Sequence, residues 1–165
     1  MKPTVTLRPA HLVECDVLDA LCFRSKAHWG YDAAFMESVR DQIRVNAEAA
    51  RAGRVWVAVD GNDRPCGVVE VDPLDAAAAD LTLLFVDPAH LRQGIGRALY
   101  EKALDLAQRL GARELLIDSD PQAAAFYATM GASRIGAEPT GYQGRLLPKF
   151  SVAIGGAKFA DIPRG

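Results

Sequence analysis

The run Arg92-Gln93-Gly94-Ile95-Gly96-Arg97 combines two glycines with two flanking arginines between an apolar stretch and a helical one. Glycine lets a backbone come close to a ligand, and the N–H groups that open a helix attract a diphosphate. Arg92 and Arg97 add positive charge to the same place. A Walker-type loop requires a Gly-Lys-Ser/Thr ending, which is missing. A dinucleotide fingerprint requires a third glycine where Leu99 stands and a first glycine directly after its strand, yet seven residues separate Val86 from Gly94. Two readings remain open: a tight turn and nothing more, or a phosphate cradle on a helix N-terminus.

Other chemistry-bearing residues are more scattered. Cys15, Cys22 and Cys66 form neither a disulfide framework nor a zinc cluster, and Cys22 and Cys66 read as buried structural thiols. His11, His28 and His90 lack metal-ligand spacing, so no metal site is expected. The aromatic pair Trp29 and Tyr31 lies in RSKAHWGYD, with Asp32 and Glu37 close by. These residues suit an aromatic wall for an amine, or a Trp that plugs the gap between the first two helices. Arg145 suits either a carboxylate or phosphate on a ligand, or the anchoring of its own loop.

The surrounding periodicities say what must position these residues. Residues 4–8 alternate as a strand, and 10–24 follow helical spacing. Asp32 reads as the N-cap of a second helix that carries Met36, Val39, Ile43, Ala47 and Ala50 on one face. Residues 54–60 and 66–72 form a hairpin around Asp60-Gly61-Asn62-Asp63. Residues 80–86 (DLTLLFV) suit a central strand. A helix over 94–110 follows, with Ile95, Leu99, Ala103, Leu106 and Leu110 facing inward and Gly111 at C′. Residues 114–118 are a fifth strand. Pro121, after Asp120, opens a short helix that ends at Gly131. Two further strands, 132–137 and 150–154, flank a Gly-rich loop. The order β-α-α-β-β-β-α-β-α-β-β predicts an α/β (α+β) fold, with a mixed sheet of about six to seven strands and four helices. A change from antiparallel to parallel pairing leaves a crevice at the central strands. One domain over 1–165 is expected, with a loose tail from about 156.

Composition narrows the classes of function. Half of the 165 residues are hydrophobic and 24% are charged, which excludes a disordered or fibrous chain. The net charge is −2, without a basic block, so nucleic acid is not an expected partner. No apolar run reaches the ~18–20 residues of a membrane span, and no signal-peptide pattern opens the chain. A cytoplasmic location without membrane partners is the expectation.

The segment Leu91-Arg92-Gln93-Gly94-Ile95-Gly96 resembles the Gln/Arg-x-x-Gly-x-Gly/Ala signature of the GCN5-related N-acetyltransferase (GNAT) superfamily, with Leu91 in place of Gln or Arg. The preceding Phe85-Val86-Asp87-Pro88 resembles the end of that family's central strand. Phe126-Tyr127-Ala128-Thr129-Met130-Gly131-Ala132 resembles its aromatic-Tyr-x-x-x-Gly-Phe segment, with Ala132 for Phe. The element order agrees over roughly residues 4–155. More narrowly, residues 25–31 and 144–148 resemble SKAxWGY and GRxLP segments of small members.

The resemblance implies acetyl-coenzyme A as co-substrate and direct transfer to an amine within a ternary complex. It implies that Arg92, Gln93, Gly94, Ile95, Gly96 and Arg97 bind the pyrophosphate. Backbone groups of Leu84, Phe85 and Val86 would take the pantetheine arm and polarise the thioester. Tyr127 is the implied general acid toward the thiolate. Its alternative is packing, since Ala123, Phe126, Tyr127 and Met130 share one helical face. Asp80 is the first candidate for general base and Glu70 the second, each with a solvated structural alternative. Trp29, Tyr31 and Arg145 are the candidate acceptor contacts. The expected acceptor is a small-molecule primary amine. The alternatives are a protein N-terminus or lysine, or a non-catalytic acyl-coenzyme A sensor. A homodimer is common in the family and is carried as an expectation.

Overall fold

The computed structural model describes residues 5–140 and 145–155. Its elements are β1 (Thr6–Pro9), α1 (Cys15–Ala27), α2 (Ala33–Val39), α3 (Ala47–Arg51), β2 (Val55–Val59), β3 (Pro65–Pro73) and β4 (Ala78–Val86). There follow α4 (Ile95–Arg109), β5 (Glu114–Asp118), α5 (Ala124–Thr129), β6 (Ser133–Pro139) and β7 (Leu146–Ala153). Seven strands make one sheet in the order β1-β2-β3-β4-β5-β7-β6. The pair β4/β5 is parallel, running from Ala78↔Glu114 to Leu81↔Ile117, while β1/β2, β2/β3, β5/β7 and β6/β7 are antiparallel. The mixed sheet anticipated from the element order is therefore present. Residue 4, loop residues 141–144 and the tail from 156 lie outside the described residues.

Three expectations need correction. The single second helix is broken into α2, a 3-10 turn (Arg40–Ile43) and α3, giving five α-helices among the described residues. Arg44 is extended, and two side chains draw off the next backbone donors. Val45 N–H donates to Asp19 Oδ1 (2.7 Å) and Asn46 N–H to Glu70 Oε1 (2.8 Å). Asn46 then caps α3 by accepting from Glu48 N–H. The last strand begins at Leu146, not Phe150, because Leu146–Lys149 pair with β6. Leu110, expected to face inward, is exposed just beyond the end of α4.

The contacts divide the chain into two compact units, Met1–Val71 with Leu83–Ala103 and Asp72–Thr82 with Leu104–Gly165. In the first, Val55, Val57, Val68, Val69 and Val71 of the sheet are buried together with Leu18, Leu21 and Phe35 of the helices. Asp32 caps α2 as expected, accepting from Phe35 N–H at 2.8 Å. Ile95 and Leu99 of α4 sit so near Gly67 that a Cβ there would stand 2.9 Å from Ile95 Cγ2 and 2.8 Å from Leu99 Cδ1. Glycine is needed at that point of β3 for the helix to reach the sheet. In the second unit, Leu81, Leu115, Ile117 and Phe150 are buried on one side of the sheet, along with Leu106 and Tyr127. The alternating pattern leaves Asp80, Leu116 and Asp118 on the opposite face.

Candidate active site

The glycine turn of the first unit is built by left-handed backbone. Arg92 has φ 62° and Gly94 φ 78°. A Cβ added at Gly94 would meet nothing within 4 Å, so the space above the turn is open. Arg92 in this conformation is strained, a feature that concentrates at ligand sites; its residue type gave no sign of it. The first bond of α4 runs from Ala98 N–H to Gly94 C=O at 3.1 Å. The N–H groups of the opening turn, Ile95 to Arg97, thus precede the helix's own ladder. Arg92 and Arg97 are exposed, Arg97 lying 3.4 Å from Glu101. Open space over a glycine, oriented N–H donors and nearby guanidinium groups fit a diphosphate.

The approach to this turn is held by Asp87, which the sequence marks only as part of the strand-end segment Phe85-Val86-Asp87-Pro88. Asp87 Oδ1 accepts from Ala89 N–H (3.1 Å), and Arg24 Nη2 of α1 donates to Oδ2 (2.8 Å). Partial burial works to raise the Asp87 carboxyl. The Arg24 guanidinium and the Ala89 N–H outweigh it and hold the group below the ordinary aspartate range. The backbone N–H of Asp87 donates to Cys66 C=O of β3, which fixes the end of β4. Leu84, Phe85 and Val86 are half-buried at that end, and Leu91 is exposed.

Glu70 is buried in β3 and spends one carboxylate oxygen on the Asn46 N–H. It is not on a solvated face. Trp29 is 44% exposed, edge-on to His28, so it does not plug the gap between the first two helices. Tyr31 stacks at 4.4 Å on Phe35, and Lys26 Nζ lies 5.3 Å from its ring centre. Asp32 is occupied with its cap and Glu37 with Arg40 (3.0 Å). Cys22 and Cys66 are buried free thiols. Burial above all pushes the Cys22 thiol up, and pushes Cys66 to about 11. Among the described residues no group of three or more His, Cys, Asp or Glu could hold a metal ion.

In the second unit Asp80 stands in a row of charges that crosses the strands. Register places Leu116 opposite Asp80, Asp118 on the same face two residues on, and Lys149 opposite Asp118. Lys149 Nζ lies 3.5 Å from Asp118 and 2.9 Å from Glu138. Desolvation is the main cause that raises the Asp80 carboxyl. The like charges of Asp118 and Asp72 add to it and Lys149 opposes. Asp118, Asp72 and Lys149 were not singled out from the sequence. Strand register, which a linear reading does not supply, is what brings Asp118 and Lys149 to Asp80.

Tyr127 lies on α5 with 7% exposure, its ring 5.2 Å from Phe126 and 5.9 Å from Phe150 of β7. Asp120, N-cap of the turn before α5, accepts from Gln122 N–H and from Arg145 Nη2 (2.7 Å). Both members of this ion pair are largely buried, so Arg145 ties its loop to the start of the Tyr127 helix.

A mixed sheet with a parallel pair at β4/β5, and a left-handed glycine turn leading from its central strand into a long helix, is the framework of an acetyltransferase. Residues 18–132 match the acetyltransferase (GNAT) family, and the chain belongs to it. It is 27% identical over 155 residues to the peptidyl-lysine N-acetyltransferase YjaB of Escherichia coli (strain K12), covering 93% of this chain and 99% of that one. The fold resembles the PaiA N-acetyltransferase of Thermoplasma acidophilum, solved with coenzyme A, at TM-score 0.71 and 15% identity over 91% of this chain and 99% of that one. It also resembles yncA of Salmonella typhimurium, a putative acetyltransferase solved with acetyl-CoA, at TM-score 0.69 and 19% identity over 92% and 95%. Among the described residues no helix is long and apolar enough to cross a membrane.

Proposed function

We propose that this chain transfers the acetyl group of acetyl-coenzyme A directly to a primary amine, with Asp80 as proton acceptor and Tyr127 as proton donor. The observation that carries the reading is the half-buried Asp80 carboxyl on the strand face it shares with Asp118, raised above all by burial and then by the charges of Asp118 and Asp72. A carboxylate with raised pKa is a better base toward an ammonium than an ordinary aspartate. The surrounding negative charge also favours a cationic acceptor. Acetyl-coenzyme A supplies the activated acetyl group. The glycine turn from Gly94 to Gly96 binds its diphosphate, with Arg92 and Arg97 adding charge and Gln93 and Ile95 shaping the turn. Backbone groups of Leu84, Phe85 and Val86 take its arm. Asp80 takes a proton from the acceptor ammonium, directly or through water. The neutral amine attacks the thioester carbonyl, and the C–S bond breaks as the Tyr127 hydroxyl gives its proton to the departing thiolate. The second amine proton restores the Tyr127 hydroxyl, and Asp80 releases its proton to solvent.

The acceptor in this proposal is a small amine or amino-acid derivative. A lysine side chain of a peptide is the second reading, favoured by the similarity to YjaB, a peptidyl-lysine N-acetyltransferase. Both present a primary ammonium to the same carboxylate. Thiol release from acetyl-coenzyme A, measured with a panel of small amines beside lysine peptides, tests the proposal and chooses between them. Turnover with one set and not the other assigns the acceptor. Tight coenzyme binding with no thiol release from any acceptor would make the chain a binding module and refute the transferase reading.

A further inference from the structure

The second unit carries a lysine that the proposed chemistry leaves without a task. Lys149 lies on β7, between β5 and β6 in the sheet and opposite Asp118. Its ammonium reaches Glu138 Oε1 of β6 at 2.9 Å and Asp118 Oδ1 of β5 at 3.5 Å. Asp118 shares its sheet face with Asp80. It stands one strand over and two residues on, a diagonal of about 8 Å at ordinary strand spacing. Two carboxylates of the row are therefore already engaged by a primary ammonium of the chain itself. Lys149 keeps 32% of its side chain exposed, Asp118 53% and Glu138 64%, so a solute can compete for either pair. The charged groups that act on Asp80 are Asp118 of β5, Asp72 of β3 and Lys149 of β7, and Lys149 opposes the other two. An acceptor ammonium that approaches Asp80 thus meets attraction from the aspartates and repulsion from Lys149. A second ammonium on the same acceptor, directed at Asp118, would have to displace Lys149.

We propose that Lys149 determines the charge of the acceptor: by holding Asp118 and Glu138 it selects against an amine that carries a second ammonium. This selectivity rests on the proposed mechanism, in which Asp80 meets the acceptor ammonium. Lys149 itself transfers no proton and no acetyl group. The hydrogen bond to Glu138 and the charge of Asp118 hold its ammonium above the ordinary lysine range, so it stays protonated and is no nucleophile. Its part is repulsion, the element that specificity requires beside attraction. Removing the charge has two separate consequences. Asp118 and Glu138 become free to take the second ammonium of a diamine. Asp80 loses a charge that lowers its pKa, so its carboxyl moves further up. The pairs are partly exposed to water, which keeps the first consequence to about fivefold in selectivity.

The test uses the full chain and thiol release from acetyl-coenzyme A with two matched pairs of acceptors. One pair is butylamine and 1,4-diaminobutane. The other is a capped peptide with one lysine and the same peptide with a second lysine beside it. Lys149→Met and Lys149→Gln remove the charge, while Lys149→Arg keeps it. In either neutral variant the ratio of kcat/KM for the dication to that for the monocation should rise about fivefold over wild type, and the rise should shrink at high salt. Lys149→Arg should keep the wild-type ratio. A second readout needs neither coenzyme nor acceptor. The Asp80 carboxyl carbon, titrated by NMR, should protonate at higher pH in Lys149→Met and Lys149→Gln than in wild type. Unchanged ratios in folded neutral variants, or an equal rise in Lys149→Arg, would overturn the selectivity role. An unchanged Asp80 titration would overturn the electrostatic link between Lys149 and Asp80. Loss of turnover with every acceptor in a folded Lys149→Gln would make the lysine part of the catalytic machinery and overturn the inference as well. Wild-type protein that releases no thiol with any of the four amines, yet shows the shifted titration in the variants, would refute the primary-amine reading of the site instead. The link between Lys149 and Asp80 would then stand.

Discussion

Gly67→Ala probes how the glycine turn, the proposed phosphate site, is held from behind. A Cβ at this position would stand 2.8 Å from Leu99 Cδ1, 2.9 Å from Ile95 Cγ2 and 3.3 Å from the Phe85 carbonyl oxygen, where ordinary contact begins at 3.4 Å. Leu99 and Ile95 must each retreat by about 0.5–0.6 Å, and both are buried, so neither has free space to enter. Overpacking of this kind costs about 1–3 kcal/mol. In a chain of this length that lowers Tm by about 2–4 °C for each kcal/mol. The consequence for function is more specific. Ile95 is the first residue of α4 and follows Gly94, so its retreat shifts the N–H groups proposed to hold the diphosphate. Coenzyme A affinity should fall by about tenfold, a modest share of what a misplacement near 1 Å can cost. Urea unfolding and a calorimetric titration with coenzyme A measure the two effects. A variant with an unchanged urea midpoint would refute the packing argument. A destabilised variant with wild-type coenzyme A affinity would refute the link from β3 through α4 to the turn.

Three further outcomes are expected. Tyr127→Phe should keep the ring packing on Phe126 and Phe150, and so the fold, yet lower turnover by ~10²-fold or more; unchanged turnover would remove the acid role. Glu70→Ala strands the Asn46 N–H and should cost about 2–3 kcal/mol in urea unfolding. Wild-type stability would show that another acceptor replaces the carboxylate. Asp80→Asn should act in opposite directions on activity and stability. Because the folded-state pKa of Asp80 lies above its unfolded value, its contribution to stability is present at low pH and is lost as pH rises through the folded value. Removing the charge should therefore stabilise the protein at neutral pH while lowering turnover by ~10²-fold or more and abolishing the acid limb of the rate profile. A destabilised Asp80→Asn, or one with an unaltered pH profile, would refute the assignment.

The sequence disclosed most of the frame because the frame rests on local signals. Asp32 as a cap, Pro121 after Asp120, Gly111 after α4 and the Ile95–Leu99–Ala103–Leu106 face each depend on neighbours in the chain. The failures came where distant residues decide local structure. The second helix keeps its apolar period through Ile43, Ala47 and Ala50, and periodicity favours continuing it. Asp19 and Glu70, 26 and 24 residues away, take the Val45 and Asn46 donors and end it. The left-handed Arg92 was equally hidden, since arginine does not announce a positive φ as glycine does. Leu146–Lys149 read as loop because Pro148 interrupts the run, yet pairing with β6 carries the strand across it.

The two candidate bases illustrate the same limit at the site. In the linear sequence Glu70 and Asp80 are alike: a carboxylate in or beside an apolar strand. The fold gives them opposite surroundings. Glu70 is enclosed and accepts the Asn46 backbone donor, which is a reason to keep its charge and its place. Asp80 is half-buried and near two other aspartates, with Lys149 drawn off toward Glu138 and Asp118. Every cause except Lys149 makes its charge unfavourable, so a proton from an approaching ammonium is welcome there. A carboxylate already serving a backbone donor makes a poorer base, because that hydrogen bond favours its charged form and opposes protonation. That difference is what assigns the proton-accepting role to Asp80 in the proposed mechanism, and Glu70→Gln supplies the contrary case. If Glu70→Gln folds normally and loses turnover by ~10²-fold while Asp80→Asn retains it, the assignment is reversed.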